Sequence, residues 1–266
     1  MLISMISVGM STTCVYPLDT EQSFRLARLA GFDGVELMVT SDGATRSVDA
    51  TRVLSARYEL PVLSVHAPVL LLSQLAWGRD QRVKLEKSAE LAHALGAPTV
   101  VAHPPFRWQR GYAAEFVGAV GEIAARTGIQ IAVENMFPWR IAGRGRDVYA
   151  PGWDPTISGY DAMTLDFSHA SLSGRDSLTL ARAMGARLRH VHLCDGSGGD
   201  GGFLDEHLIP GRGTEPVAEV LALLAASGFD GSVIAEINTR RSSGEADRLA
   251  RLRETVAFAR SHLALT

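Results

Sequence analysis

Short apolar runs alternate with longer amphipathic stretches along the whole chain, and from position 62 onward the runs share one ending. The runs 63–66, 100–103, 131–134, 164–166, 190–192 and 233–236 close on His66, His103, Glu134, Asp166, His192 and Glu236, each a side chain able to bind a metal. Apolar segments of this length bounded by turn residues read as buried parallel strands. The predicted strands cover 2–9, 34–38, 62–66, 99–103, 130–134, 162–166, 188–193 and 232–237. Between them the spacing predicts helices over 20–30, 47–59, 79–95, 112–127, 174–185, 215–227 and 244–263. In the third of these, Val83, Leu85, Ala89, Leu91, Ala92 and Leu95 fall near one face with charges opposite. Several predicted helices run into glycine, as at Gly31, Gly96, Gly128 and Gly228, where a left-handed C-cap turns the chain back. The stretch 135–161, rich in Gly, Pro, Arg and aromatic residues, reads as a long loop with at most a short helix.

Eight strands with intervening helices in this length match an α/β (β/α)8 TIM barrel. A doubly wound open sheet shares the alternation. The ring of strand-end ligands favours the barrel, because in an open sheet six consecutive strand ends spread along a crevice, whereas in a closed barrel they surround one axis. No linker or composition break divides the chain, so residues 1–266 are expected to form one domain.

Composition narrows the functional classes. Hydrophobic residues make up 46% and charged residues 21%, ordinary proportions for a water-soluble fold. The net charge of −3 supplies no global attraction to nucleic acid or to an anionic membrane. Nucleic acid is therefore disfavoured as a partner though left open, and a membrane partner is not expected. Cys14 and Cys194 exclude a disulfide framework, and their spacing matches no zinc knuckle. The apolar start, 1–10, lacks a basic segment and a cleavage site and reads as a first strand. No apolar stretch reaches the ~18 residues of a membrane span. A cytoplasmic location is expected, and an oligomer is left open.

A single histidine at the end of an apolar run is more often a hydrogen-bonded core or rim residue than a ligand. Here five of the eight histidines, His66, His103, His169, His192 and His207, fall at strand ends or in the loops just beyond. His93, His190 and His262 are read as structural or surface residues, His190 as one position out of phase with the barrel-facing side chains. Asp166 and His169 place a carboxylate at a strand end and an imidazole one turn later, so both can face one ion. Asp205 and His207, two apart in an extended loop, can aim at one metal; the alternative is a solvated lid loop. Mixed N/O ligands without thiolate suit a divalent metal, Zn2+ or Mn2+, with Mg2+ or Co2+ as alternatives. Cys194 is taken as a packed thiol.

The glycines at 196, 198 and 201 literally fit a dinucleotide-binding spacing after a strand, but no apolar helix opens there, so 196–202 reads as a flexible loop. Glu36, at the end of the second strand, is expected to point to the mouth or to pair with a neighbouring base, and is not counted as a ligand. Arginines beside aromatics, Arg107 with Trp108 and Arg140 with Trp139, can clamp a phosphate or stack on a sugar. Together with Arg212 they are the substrate-binding candidates, the competing reading being surface arginine on long loops.

With these residues in place, the chain resembles the xylose isomerase-like TIM barrel superfamily, which also contains the endonuclease IV family. The resemblance spans essentially the whole chain. It rests on Ser64-Val65-His66-Ala67-Pro68, Val101-Ala102-His103-Pro104, Ala132-Val133-Glu134-Asn135, Leu165-Asp166-Phe167-Ser168-His169, His190-Val191-His192, the segment 205–213 and Ile234-Ala235-Glu236. In sugar isomerases and epimerases of this group one divalent metal is held by the counterparts of Glu134, Asp166, His192 and Glu236. In the ketose 3-epimerases the two glutamates also exchange a proton on opposite faces of the substrate carbon. The endonuclease IV family holds three zinc ions with nine ligands, and all nine types match: His66, His103, Glu134, Asp166, His169, His192, Asp205, His207 and Glu236. Where the DNA enzymes carry an intercalating tyrosine this chain has Val69, and where ketose epimerases carry an arginine, 196–202 has none.

The resemblance implies a metal-dependent isomerase or epimerase of a small carbohydrate: a sugar, sugar phosphate or related polyol. Glu134 and Glu236 are the expected catalytic acid/base pair. The alternative it implies is a zinc-dependent apurinic-site endonuclease with a trinuclear centre. A third reading is a non-catalytic metal- or sugar-binding barrel, against which the intact pair of glutamates counts.

Overall fold

Successive side chains in the strands alternate between two different environments, and that alternation builds the architecture. The computed structural model describes residues 6–69, 76–141, 144–198 and 205–264. Eight parallel strands close into a barrel: β1 (Ser7–Ser11), β2 (Gly34–Met38), β3 (Val62–His66), β4 (Thr99–Ala102), β5 (Gln130–Glu134), β6 (Ala162–Asp166), β7 (Leu188–Leu193) and β8 (Ser232–Ala235). Each pairs with its neighbours in sequence, and β1 pairs with β8. One set of strand residues, among them Val8, Met10, Val35, Leu37, Val65, Val100, Val133, Leu165, Val191 and Val233, joins the apolar core packed against the helices. The alternate set carries Glu36, Ser64, His66, Glu134, Thr164, Asp166, His190 and His192, all buried. A period of two thus sends the apolar half outward and the polar half to the barrel axis.

The helices α1 (Thr20–Ala30), α2 (Val48–Tyr58), α3 (Gln81–Leu95), α4 (Arg110–Thr127), α5 (Phe167–Ser173), α6 (Ser177–Met184), α7 (Val217–Ser227) and α8 (Glu245–Leu263) surround the strands. Asp19, Ser47 and Asp80 cap α1, α2 and α3 by accepting backbone N–H groups, a device worth about 1 kcal/mol each. Gly31 and Gly96 end α1 and α3 in the left-handed region, at φ 92° and 76°. Glu59 takes that conformation after α2, at φ 52°. Among the described residues no helix is long and apolar enough to cross a membrane.

The structure departs from the sequence expectation in four places. The first strand runs Ser7–Ser11 rather than 2–9, because its register is set by pairing Ser7 with Ser232 and Ser11 with Glu36; residues 2–5 lie outside the described residues. The helix expected over 174–185 is α6, which begins on an Asp176 cap, and a further short helix, α5, precedes it; Asp166 caps α5, its Oδ1 accepting the His169 N–H at 2.7 Å. The stretch 135–161 contains an antiparallel hairpin, Trp139–Ile141 with Arg144–Arg146, and a 3-10 turn at Pro155–Ile157. Finally, His190 is not out of phase. It lies two residues from His192 on the same strand face and is fully buried in the barrel.

Candidate active site

The closed barrel brings the six strand-end residues to one mouth. His66, Glu134 and Asp166 are the last residues of β3, β5 and β6, His192 is the penultimate residue of β7, and His103 and Glu236 follow β4 and β8 within a residue or two. Glu134 sits between two groups. Its Oε1 lies 3.1 Å from His192 Nδ1 and 3.0 Å from His169 Nδ1. Its Oε2 lies 3.0 Å from His103 Nε2 and 3.4 Å from His66 Nε2. His192 Nδ1 is also 3.0 Å from Glu236 Oε2 and 3.7 Å from Asp166 Oδ2. Three carboxylates therefore converge on one ring nitrogen, which has at most one proton to offer them.

The loop residues form the adjoining wall. His169 Nε2 and His207 Nε2 lie 3.1 and 2.8 Å from Asp205 Oδ2, and Ser168 Oγ donates to Asp205 Oδ1 at 2.6 Å. His207 adopts φ 45°, a conformation that costs a non-glycine residue roughly 1 kcal/mol. Its Nδ1 bonds the Glu236 carbonyl at 2.8 Å, which holds the ring in place. Sequence reasoning missed the residue that tethers this loop. Asp195, fully buried, accepts the backbone N–H groups of Gly196, Gly211, Gly213 and Glu215, and pairs backbone to backbone with Leu208. A Cβ at Gly213 would collide with that carboxylate. The turn-rich segment 210–213 was the available signal, since its exposed amides need an acceptor.

Burial and charge pull in opposite directions throughout the cluster. Burial favours neutral carboxyls, but the imidazoles outweigh it at Glu134, held well below the usual range by His192 and His103, and at Glu236, held down to about 2 by His192. Burial likewise disfavours charged imidazoles, yet neighbouring carboxylates hold His192, His169 and His207 well above their ordinary value. At His103 burial wins and its value falls. Asp166 is raised by burial despite His169 and His207. Burial pushes the Cys194 thiol up to about 12, and its Sγ sits 3.7 Å from Asp166 Oδ2, which agrees with a packed neutral thiol.

These residues fit a divalent cation. The ligand atoms of Glu134, Asp166, His192 and Glu236 lie within 4.8 Å of one another, as do those of His66, His103 and Glu134, and those of His169, Asp205 and His207. Glu134 Oε2 is buried with no hydrogen bond although two imidazole nitrogens flank it. The carboxylates crowded around these points repel one another, and in the metal-free protein only imidazole protons offset that repulsion, a role a divalent cation can take over.

A cavity of ≈ 1040 Å3 opens above the cluster, lined in part by Phe106, Tyr112, Phe137, Trp139 and Tyr149. Of the substrate-binding candidates, Trp139 lines it. Three other substrate-binding candidates do not line it. Arg107 pairs with Asp147, Trp108 is 54% exposed and stacks on Phe106, and Arg212 turns outward to Glu254 on α8. Each arginine follows the nearest carboxylate rather than the cavity. The backbone of Arg140 lies in the hairpin, and its side chain lies outside the described residues. Among the described residues, the lysine and arginine that line the cavity are Lys84 and Arg240, neither singled out from sequence. Lys84 is 2% exposed, and burial lowers its ammonium below the ordinary value. The signal was its helix phase: Lys84 precedes Ser88 by four and Leu91 by seven on the inward face of α3.

Known proteins resemble the chain at three levels. A model described as xylose isomerase-like TIM barrel matches residues 24–262. An uncharacterised protein of Mycobacterium tuberculosis (strain ATCC 25618 / H37Rv) is 47% identical, over 97% of this chain and 98% of its own. A fructoselysine 3-epimerase of Escherichia coli O157:H7 is 22% identical, over 88% of this chain and 91% of its own. Among solved structures, a D-tagatose 3-epimerase-like protein superposes with a TM-score of 0.69 at 24% identity, covering 97% of this chain and 100% of that one.

Proposed function

The chain belongs to the xylose isomerase-like TIM barrel family, and from that premise we propose that it is a metal-dependent isomerase or epimerase of a sugar, sugar phosphate or related polyol. One observation carries the reading. Glu134 and Glu236 come from strands on different sides of the mouth, and their carboxylate oxygens reach the same imidazole nitrogen, at 3.1 and 3.0 Å. Two carboxylates facing one point from two directions can remove a proton from one face of a carbon and return it to the other. In the free protein both are held below the usual carboxylate range, so either can act as the base, and the partner that returns the proton must carry one when the substrate is bound.

Glu134, Asp166, His192 and Glu236 would hold the ion, with Zn2+ or Mn2+ suited to the mixed donors and Mg2+ or Co2+ as alternatives. When bound, such an ion polarises a substrate carbonyl and stabilises negative charge developing on its oxygen. Thr13 Oγ1 donates to Glu236 Oε1 at 3.1 Å and keeps that base oriented. Trp139, Phe106 and Tyr149 provide apolar faces for the sugar ring, and Lys84 and Arg240 offer positive charge to a phosphate or hydroxyl-rich end. The names of the 3-epimerase relatives support a ketose as the first substrate to try.

Turnover of ketoses, free and phosphorylated, in deuterated water tests the reading. Solvent deuterium should enter the reacting carbon, and Glu134→Gln should lower the rate by ~10^2- to 10^4-fold while the protein stays folded. A product without solvent label would indicate hydride shift and sink the two-glutamate assignment.

A second reading draws on the adjoining groups His66/His103/Glu134 and His169/Asp205/His207, which with the first group supply three potential metal positions. Three ions would suit hydroxide attack on a phosphodiester, as in an apurinic-site endonuclease. The net charge of −3 and Val69 at the wedge position count against a duplex substrate. Elemental analysis of unstripped protein separates the two: one ion per chain favours the isomerase, three zincs the nuclease.

A further inference from the structure

Glu36 is a carboxylate buried to 0% exposure on β2, a strand that contributes nothing to the ligand ring. It lies deeper in the barrel and reaches across to β7. Its Oε1 is 3.0 Å from His192 Nε2, and its Oε2 is 2.9 Å from His190 Nε2. Ser64 Oγ on β3 donates to the same Oε2 at 2.8 Å. We propose that Glu36 is the positioning residue for His192: it accepts the hydrogen bond from the Nε2–H and so presents the Nδ1 lone pair to a divalent ion among Glu134, Asp166 and Glu236.

An ionised carboxylate only accepts hydrogen bonds, so all three of its partners must donate. That requirement places a proton on Nε2 of both histidines. His190 carries a check on this assignment, because its Nδ1 is buried with no partner. A lone pair there is tolerable, whereas an N–H would be an orphaned donor. His190 is thus a neutral Nε2–H tautomer whose role is to hold the second oxygen of Glu36. With its Nε2 proton engaged, His192 presents Nδ1 to Glu134 Oε1, Glu236 Oε2 and Asp166 Oδ2 at 3.1, 3.0 and 3.7 Å. The opposite tautomer would set the Nε2 lone pair against Glu36 at 3.0 Å. A carboxylate behind a ligating imidazole fixes the ring and strengthens the nitrogen as a donor. The arrangement also accounts for two histidines at 190 and 192 on the same strand face. The inference rests on the divalent-metal reading of the site and not on the sugar chemistry.

The test is Glu36→Gln with Mn2+ as the probe. A glutamine oxygen can accept from one imidazole, while its NH2 confronts the other. Titration calorimetry of chelator-treated protein should show the tightest Mn2+ site weakened ~10- to 100-fold. On wild type loaded with Zn2+, long-range 1H–15N correlation should report His192 as the Nε2–H tautomer. This measurement decides the matter even if the variant does not fold. A folded Glu36→Gln protein that binds Mn2+ within about twofold of wild type, or an Nδ1–H tautomer at His192, would overturn the inference and leave the metal reading standing. Wild type that binds neither ion would overturn both.

Discussion

Replacing Glu236 by glutamine removes one of the three carboxylates around His192 Nδ1 while keeping the side chain's shape and its bond from Thr13. In the metal-free protein its carboxyl is held down to about 2 from an ordinary 4.5, against the opposing effect of burial, chiefly by the His192 charge. A difference of about 2.5 pH units corresponds to ~3 kcal/mol of stability, an upper figure because the effect belongs jointly to Glu236 and His192. The side chain is 14% exposed, so solvent screening removes little of it. With an unfolding entropy of ~2 cal/mol/K per residue over 266 residues, the loss translates into a midpoint about 6 °C lower. The sign depends on pH. A depressed carboxyl contributes above its unfolded value of 4.5 and loses that contribution as pH falls toward 2. A raised imidazole contributes fully below its unfolded value of 6.5 and loses that contribution as pH rises through its folded value. The gap between wild type and Glu236→Gln should therefore be widest between these limits, at about pH 5.5, and close on both sides. Scanning calorimetry of chelator-treated proteins across that range measures it. Equal midpoints at about pH 5.5, or a gap that persists unchanged into strong acid, would show that the pair is not the charged one described.

Three further outcomes follow from the same geometry. Changing Asp205 and His207 together to Ala should leave a tightly held ion on Glu134, Asp166, His192 and Glu236 if one metal suffices; loss of one metal per chain by elemental analysis would indicate a multinuclear centre. Metal uptake by the stripped protein should release protons and weaken as pH falls, since despite burial His192, His169 and His207 are held in the protonated form by Glu236, Asp166 and Asp205; calorimetry in buffers of different ionisation enthalpy counts those protons, and a count of zero contradicts the assignment. DNA binding should be weak and strongly salt-dependent, with no cleavage of an abasic duplex at physiological salt. Efficient zinc-dependent nicking, lost in His103→Ala, would replace the isomerase reading with the nuclease one.

Local pattern made the barrel legible. A run of four or five apolar residues ending on His66, Glu134 or Asp166 states by itself where a strand stops and what stands at its end, because the period of two and the turn residues are properties of neighbours in sequence. The cap residues Asp19, Ser47 and Asp80 and the closing Gly31 and Gly96 are equally local. Partnership across the barrel is not. Nothing near Glu36 in sequence indicates that it meets His190 and His192, more than 150 positions away; closure and strand register bring β2 opposite β7. The same holds for Asp195, whose role depends on where the loop 205–215 lies. Arg212 and Arg107 have the composition of substrate clamps, but their long side chains go to Glu254 and Asp147, the carboxylates within reach once the helices and loops have packed. Lys84 looked like one more charge on a surface helix until α3 turned that side to the cavity. Sequence alone determined which metal-capable residues end the strands, since strand ends are set by local chemistry. Tertiary structure decided which of them touch, because closure of the sheet is a global event that no window of the chain contains.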